Sequence, residues 1–320
     1  MKESSTASAS MILCGAGRLK LIASPWSPPA WMKDNLSRTG GGHLLRRYYG
    51  QWADCLAQYL SAYRDAGLDV CAITPQNECA MRQVFESCVY TTAEEADFIA
   101  SALLPALQER DLHPRIFIWD YNKHLALDHV EDFMALPSAP DTIGGVALHW
   151  YSGDHFEVLD ALERRYPHLA LFLTEACTVA HPGQDRIEHA IAYAHEIIGD
   201  LNHGVTAFID WNLLLDEWGG PNHLSNYCNA PIQVQEGRLC FMPTYDYLVH
   251  FSRFIRPGAT RLCTSRYTTR IEATAWENED GTRVAVLLNP SRDEMPVVFS
   301  TRIGVCDLVM PPRSILTLQY

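Results

Sequence analysis

Apolar residues gather along the chain in short runs rich in β-branched and aromatic side chains. The runs are LKLIAS (19–24), LDVCAIT (68–74), RIFIWD (115–120), GGVALHW (144–150), LALFLTE (169–175) and VTAFIDW (205–211). Turn formers bound each run, and each closes on polar or aromatic residues. Near-continuous apolar strands suit a parallel sheet buried on both faces. The segments between them change period. HLLRRYYGQWADCLAQYLSAYRDAG (43–67) has helical spacing and closes on glycine. TTAEEADFIASALLPALQER (91–110) opens with threonine and acidic residues, and DRIEHAIAYAHEIIGDL (185–201) is a third helical stretch. Strand–helix alternation predicts an α/β fold, either a (β/α) barrel or a doubly wound sheet.

A further helical segment, PTYDYLVHFSRFI (243–255), runs into Arg256-Pro257-Gly258, and the pattern then changes. IEATAWENEDGTRVAVLLNP reads as two strands around an Asn-Glu-Asp-Gly turn, followed by MPVVFSTR, GVCDLVM and SILTLQY. This is an antiparallel β unit. The expected domains are 1–258, a barrel, and 259–320, a small C-terminal sandwich-like β domain.

With 320 residues the chain can bury a large core, and its 48% hydrophobic and 20% charged fractions exclude disorder and coiled coil. The formal net charge of −13 and pI of 5.4 disfavour a phosphate backbone, so nucleic acid is not an expected partner. No apolar run reaches the roughly 20 residues of a membrane span. MKESSTASAS is polar and the MILC behind it is too short for a signal-peptide core. As written the chain is expected to be cytoplasmic, with secretion left open if the N-terminus is incomplete. The ten cysteines include no CxxC pair, and several lie inside apolar runs, which favours buried thiols over metal ligands or disulfides. No cofactor and no metal are expected.

In a (β/α) barrel, functional groups collect where strands end. Here those places hold Ser24-Pro25-Trp26, Gln76-Asn77-Glu78, Asp120-Tyr121-Asn122, His149-Trp150-Tyr151, Thr174-Glu175 and Asp210-Trp211-Asn212. Glu78 and Glu175 come straight off apolar strands, where an ionised carboxylate needs a reason to sit. Trp26, Trp150, Tyr151 and Trp211 offer flat apolar faces that suit the C–H faces of sugar rings, and Asn77, His149 and Asn212 suit hydroxyl groups. A single glutamate after a strand is often a helix cap, and a single tryptophan there is often core. Six consecutive strand ends of this character are harder to dismiss. Together they point to a glycosidase.

SPWSPPAWMK (24–33), ITPQNE (73–78), ALHWY (147–151), LTEAC (173–177) and DWNLLLDEWGGP (210–221) together resemble glycoside hydrolase family 30, the glucosylceramidase-like branch of the retaining β-glycosidases. The resemblance runs over most of the chain in family order. It implies a (β/α)8 barrel with Glu78 as acid/base and Glu175 as nucleophile. It places sugar-facing roles on Trp26, Asn77, Trp211 and Asn212, with His149 and Tyr151 beside the nucleophile, and matches Asp120 and Asn122 more loosely. The implied partner is a carbohydrate or glycolipid substrate.

Two departures stand out. Cys79 occupies the position after Gln-Asn-Glu where the family usually has proline. LKLIAS also corresponds to the family's third barrel strand, so the first two strands, with the Arg and Asp they supply, have no match here. The expectation is therefore a barrel lacking those strands, with open edges beside Trp26 and Trp211, low stability and little activity. A non-catalytic or weakly active sugar-binding barrel is the alternative. A metal-dependent hydrolase built on His149 and Asp120 lacks a second histidine at ligand spacing.

Overall fold

The computed structural model describes residues 19–179, 185–220 and 227–320. Each apolar run forms a strand: β1 (Lys20–Ala23), β2 (Asp69–Ile73), β3 (Arg115–Asn122), β4 (Ile143–His149), β5 (Ala170–Glu175) and β6 (Val205–Phe208). They hydrogen-bond in chain order, with β1 and β6 at the ends of the sheet among the described residues. β1–β2, β2–β3 and β3–β4 pair in parallel. The open order matches the count of six strands in the sequence. The sixth strand is shorter than its apolar run and stops at Phe208, leaving Asp210 and Trp211 in the following loop.

Contacts divide the chain into two compact units, Met1–Thr174 and Glu175–Tyr320. In the first, helices follow the strands. α1 (Tyr49–Asp65) closes on Gly67 with φ +79, where the Leu68 amide reaches back 2.9 Å to the Tyr63 carbonyl. The helical pattern from 43 begins as α-helix only at Tyr49, because His43 and Leu44 are drawn into bridges with Val89 and Lys33. α2 (Thr92–Phe98) starts with a capping box: Thr91 accepts the Glu94 amide while Glu94 accepts the Thr91 amide. The helix then widens into a π turn (Ile99–Leu103) before α3 (Leu104–Gln108), where Pro105 has no N–H to offer the ladder. Two short helices escaped the pattern, α4 (Ala126–Ala135) and α5 (Phe156–Arg165).

β3 and β4 are buried along almost their whole length, whereas β1 is only half-buried. Gly145 of β4 is the close approach that permits this. A Cβ there would strike the Ala170 carbonyl and the Phe117 ring.

The second unit contains α6 (Arg186–Asn202), capped by Asp185 through the Ile187 amide, and α7 (Pro243–Ser252). A small sheet of β7 (Leu214–Asp216), β8 (Ile232–Gln235) and β9 (Arg238–Phe241) has no counterpart in the sequence pattern. The expected β unit is present as β10 (Thr260–Leu262), β11 (Glu272–Glu277), β12 (Arg283–Asn289) and β15 (Ser314–Gln319) in one sheet, with β13 (Met295–Thr301) and β14 (Gly304–Met310) in another. The β11–β12 turn is the foreseen Asn278-to-Gly281 one, with Gly281 at φ +82. Strand alternation gives β12 two apolar faces. Val284, Val286 and Leu288 pack against α6 and α7, while Ala285 and Leu287 pack with Met295 and Met310. Among the described residues no helix is long and apolar enough to cross a membrane.

Candidate active site

The strand ends of the first unit converge on one carboxylate. Asp120 sits on β3 at a register shift against β4, and the residues of that bulge, Trp119 and Asp120, have φ of 80° and 48°. The bulge turns Asp120 inward, where it is 1% exposed. One oxygen accepts Thr174 Oγ1 at 2.7 Å and His149 Nε2 at 3.2 Å. The other accepts the Thr74 hydroxyl at 2.7 Å and the Ser24 hydroxyl. Four strands thus meet on two oxygens. Burial alone would raise the Asp120 pKa, but donation from His149, Ser24 and Thr74 outweighs it and holds the carboxyl below its ordinary value. Asp120 is an anion with its acceptor sites occupied. An ionised acceptor also fixes His149 with its Nε2 protonated.

Glu78 lies beyond β2 in the opposite condition. Its backbone adopts φ 49°, and its amide donates to the Asp120 carbonyl at 2.8 Å. Cys79, the residue in place of the family's proline, is fully buried and donates its thiol to the Trp119 carbonyl at 2.9 Å. The side chain of Glu78 is held by one described hydrogen bond, from Gln83 Nε2 at 2.8 Å, and stands 3.9 Å from His149 Nδ1. Desolvation raises its pKa, with Asp120 adding to the rise and His149 and Gln83 opposing it. Such a group readily carries a proton.

The approach to Glu78 is braced as well. The Asn77 amide donates to the Pro25 carbonyl at 2.8 Å, and Gln76 Nε2 donates to the Trp26 carbonyl at 2.6 Å. The half-buried Trp26 lies against Phe85, ring centres 5.3 Å apart. Tyr151 meets His149 edge-on at 6.0 Å and stays 41% exposed. Of the residues expected in the first unit, Glu78, Asp120 and His149 form one connected group, with Asn77 and Trp26 on its adjoining loop. Asn122 instead uses its carbonyl to accept the Trp119 indole at 2.9 Å.

In the second unit, Glu175 is the last residue of β5 and is half-buried. The carbonyl of the next residue, Ala176, accepts the Trp211 amide at 2.8 Å. Asp210 accepts both that amide at 3.0 Å and the Tyr193 hydroxyl at 2.6 Å. Burial pushes Asp210 up to about 7 against the pull of those two donors. Asn212 is half-buried, and its amide nitrogen has no hydrogen-bond partner among the described residues. Pro221, which ends the 210–221 motif, lies outside the described residues.

Sequence reasoning flagged Ser24 and Thr174 only as members of strand-end groups, and it passed over Thr74 and Gln83. Thr74 carried a signal, since it follows β2 directly and precedes Pro-Gln-Asn-Glu. Gln83 carried none. A cleft of about 530 Å³ lies at the other ends of β1 and β2, bounded by Leu60, Arg64, Leu68 and His113. It contains none of these strand-end residues.

Comparison with known proteins adds an independent line. Residues 9–255 match the Glycosyl hydrolase family 30 TIM-barrel domain, and residues 258–318 match the Glycosyl hydrolase family 30 beta sandwich domain. The chain is 31% identical to the lysosomal acid glucosylceramidase of Mus musculus over 94% of its own length and 62% of that protein. It therefore spans less than two thirds of that relative. SrfJ from Salmonella typhimurium superposes with a TM-score of 0.91 at 38% identity, covering 94% of this chain and 68% of that one. The endo-beta1,6-glucanase BT3312 superposes at 0.85 with 28% identity, over 94% and 71% of the two chains. With the barrel-domain match over residues 9–255 followed by the sandwich-domain match over 258–318, the chain belongs to glycosyl hydrolase family 30.

Proposed function

We propose that the protein is a retaining β-glycosidase acting on β-linked glucosides or related glycosides, with Glu78 as acid/base and Glu175 as nucleophile. The observation that carries the reading is the contrast between two carboxylates of one strand-end cluster. Asp120 is kept ionised by four donors, whereas Glu78 is desolvated and protonation-prone. A desolvated, protonation-prone acid beside a histidine fixed in orientation is what proton delivery to a glycosidic oxygen requires.

In the first step the Glu175 carboxylate attacks the anomeric carbon, and the bond to the leaving oxygen breaks. That oxygen takes the proton of Glu78, leaving a glycosyl ester on Glu175. In the second step Glu78, now a carboxylate, removes a proton from water. The water oxygen attacks the anomeric carbon, the ester bond breaks, and Glu78 is again protonated. Double displacement of this kind calls for carboxyl groups about 5–5.5 Å apart. Asp120 acts through His149 and touches no substrate in this scheme. The half-buried Trp26 and Trp211 supply ring faces for the sugar, and Asn77 and Asn212 supply polar contacts, with Asn77 placed for the 2-hydroxyl beside the acid.

Named relatives include glucosylceramidases and endo-1,6-β-glucanases, so the substrate is a β-glucoside whose aglycone is either a lipid or a second sugar. The direct test uses a 2-deoxy-2-fluoro-β-glucoside with an activated leaving group, which accumulates the glycosyl ester. Mass spectrometry of the digested protein is expected to find the label on the peptide containing Glu175. Label elsewhere, or a substrate turned over with inversion at the anomeric carbon, overturns the assignment.

A further inference from the structure

The helix side of β3 carries a second acidic group that no catalytic role requires. Glu95 lies one residue past the capping box of α2, where the sequence reads as a solvated, dipole-friendly first turn. Instead its side chain is fully buried. One oxygen accepts the Trp119 backbone amide at 3.1 Å, and the other pairs with His129 Nε2 of α4 at 2.7 Å. His129 is itself held by Thr92 Oγ1 at 3.2 Å from Nδ1, and its ring lies against Trp119 with centres 4.6 Å apart. Two helices therefore grip one backbone N–H.

That N–H belongs to the bulge. Trp119 and Asp120 are both non-glycine residues at positive φ, a conformation that persists only where the surroundings enforce it. The carbonyls of these two residues are the ones that hold the proposed acid. Asp120 C=O accepts the Glu78 amide at 2.8 Å, and Trp119 C=O accepts the Cys79 thiol at 2.9 Å. The connection runs from α4 through His129 to Glu95, across the Trp119 peptide, to the backbone of residues 78 and 79. A pair serving only as core filler would have no reason to end on the two carbonyls that anchor Glu78.

We infer that Glu95 and His129 are positioning residues for Glu78: they clamp the β3 bulge whose carbonyls set where the acid stands. The inference rests on the reading of Glu78 as acid/base. Removing the clamp lets the bulge relax and misplaces the proton donor while leaving the nucleophile in place. In the first step, where the leaving oxygen departs, the loss is therefore selective. Leaving groups that need protonation suffer, and activated ones do not.

The experiment measures kcat and KM of the full chain and its Glu95→Ala, Glu95→Gln, His129→Gln and Glu78→Gln variants. Two substrates are compared, an alkyl β-glucoside and a dinitrophenyl β-glucoside. Displacing a catalytic group by about 1 Å is worth up to ~100-fold, so Glu95→Ala is expected to lower kcat/KM, which reports the first step, by about 30-fold on the alkyl glucoside and by less than about 3-fold on the activated one. Glu95→Gln keeps an oxygen for the Trp119 amide and should recover most of that loss. His129→Gln, the milder change should Glu95→Ala fail to fold, is expected to show the same selectivity at about 5-fold. Equal losses on both substrates, or none on either, with Glu78→Gln still discriminating, overturn the positioning role alone. Equal losses in Glu78→Gln itself overturn the reading of Glu78 as the acid, and this inference with it.

Discussion

The neighbourhoods of Asp120 and Glu78 flank the two nitrogens of His149 and do opposite things to a carboxyl group. Around Asp120 every approach is a donor: two threonines, a serine and a histidine, one from each of four strand ends. Around Glu78 the surroundings are mostly desolvating, with one amide from Gln83 and a histidine nitrogen at 3.9 Å. Depth does not explain the difference, since both are buried, Asp120 at 1% and Glu78 at 7% exposure. The number of donors does. A carboxylate that accepts several hydrogen bonds stays charged at a depth where a nearly bare one keeps its proton. Two carboxyl groups are thus pushed apart, Asp120 towards the anion and Glu78 towards the protonated form that its proposed role requires.

The largest expected effect comes from dismantling the anion. Asp120→Asn keeps the shape but replaces one acceptor oxygen with a donor facing the hydroxyls. It should cost about 2 kcal/mol of stability and about 100-fold in kcat/KM through loss of His149 orientation. Urea unfolding and steady-state kinetics check both. The stability difference also has a pH signature. Because the folded pKa of Asp120 is depressed, its contribution is fully present above the ordinary carboxylate value. It is lost as pH falls through the folded value, so wild type and Asp120→Asn should converge in strong acid.

Glu78 carries the reverse sign. Its folded pKa is raised, so ionisation weighs against the fold and stability declines as pH rises through that value. Glu78→Gln should therefore unfold at a temperature roughly 2 °C higher than wild type at neutral pH, with the gap closing below the ordinary carboxylate range. Calorimetry across pH reads this directly. A gap that widens in acid would show that Glu78 is stabilised as an anion. The smallest change is Gln83→Leu, which removes the described donor to Glu78 and leaves it barer still. The basic limb of kcat/KM should move to higher pH, and activity at neutral pH should change by only about 3-fold.

How much of this was legible beforehand follows from what makes a pattern. The six parallel strands were readable because burial on both faces demands near-continuous apolar runs, and LKLIAS, RIFIWD and LALFLTE have little else. Glu78, Asp120 and His149 were readable as polar residues closing such runs. The short helices α4 and α5 were not, each giving only ten residues of periodicity. The bulge at Trp119–Asp120 left no trace either. Both are ordinary side chains forced to positive φ by contacts from distant segments, and nothing local announces it. Glu95 misled for a related reason. An acid in the first turn of a helix suits solvent and the helix dipole, and only the tertiary arrangement buries it against Trp119. Asp120 was identified as a site residue but matched to the family's pattern only loosely. Its satisfied oxygens, one of them on His149 Nε2, support the proposed role of holding that ring.

Central to the account is that Glu78 is the proton carrier of the pair while Asp120 stays charged. The most direct measurement is the pH profile of kcat/KM for wild type and Glu78→Gln on an alkyl β-glucoside, whose leaving oxygen needs the proton. In wild type the account predicts a basic limb above the ordinary carboxylate range, because burial lifts the Glu78 pKa. In Glu78→Gln that limb should vanish, leaving a flat profile on the alkaline side at reduced rate. A basic limb that survives the substitution unchanged would assign the titrating acid to another group and contradict the central claim.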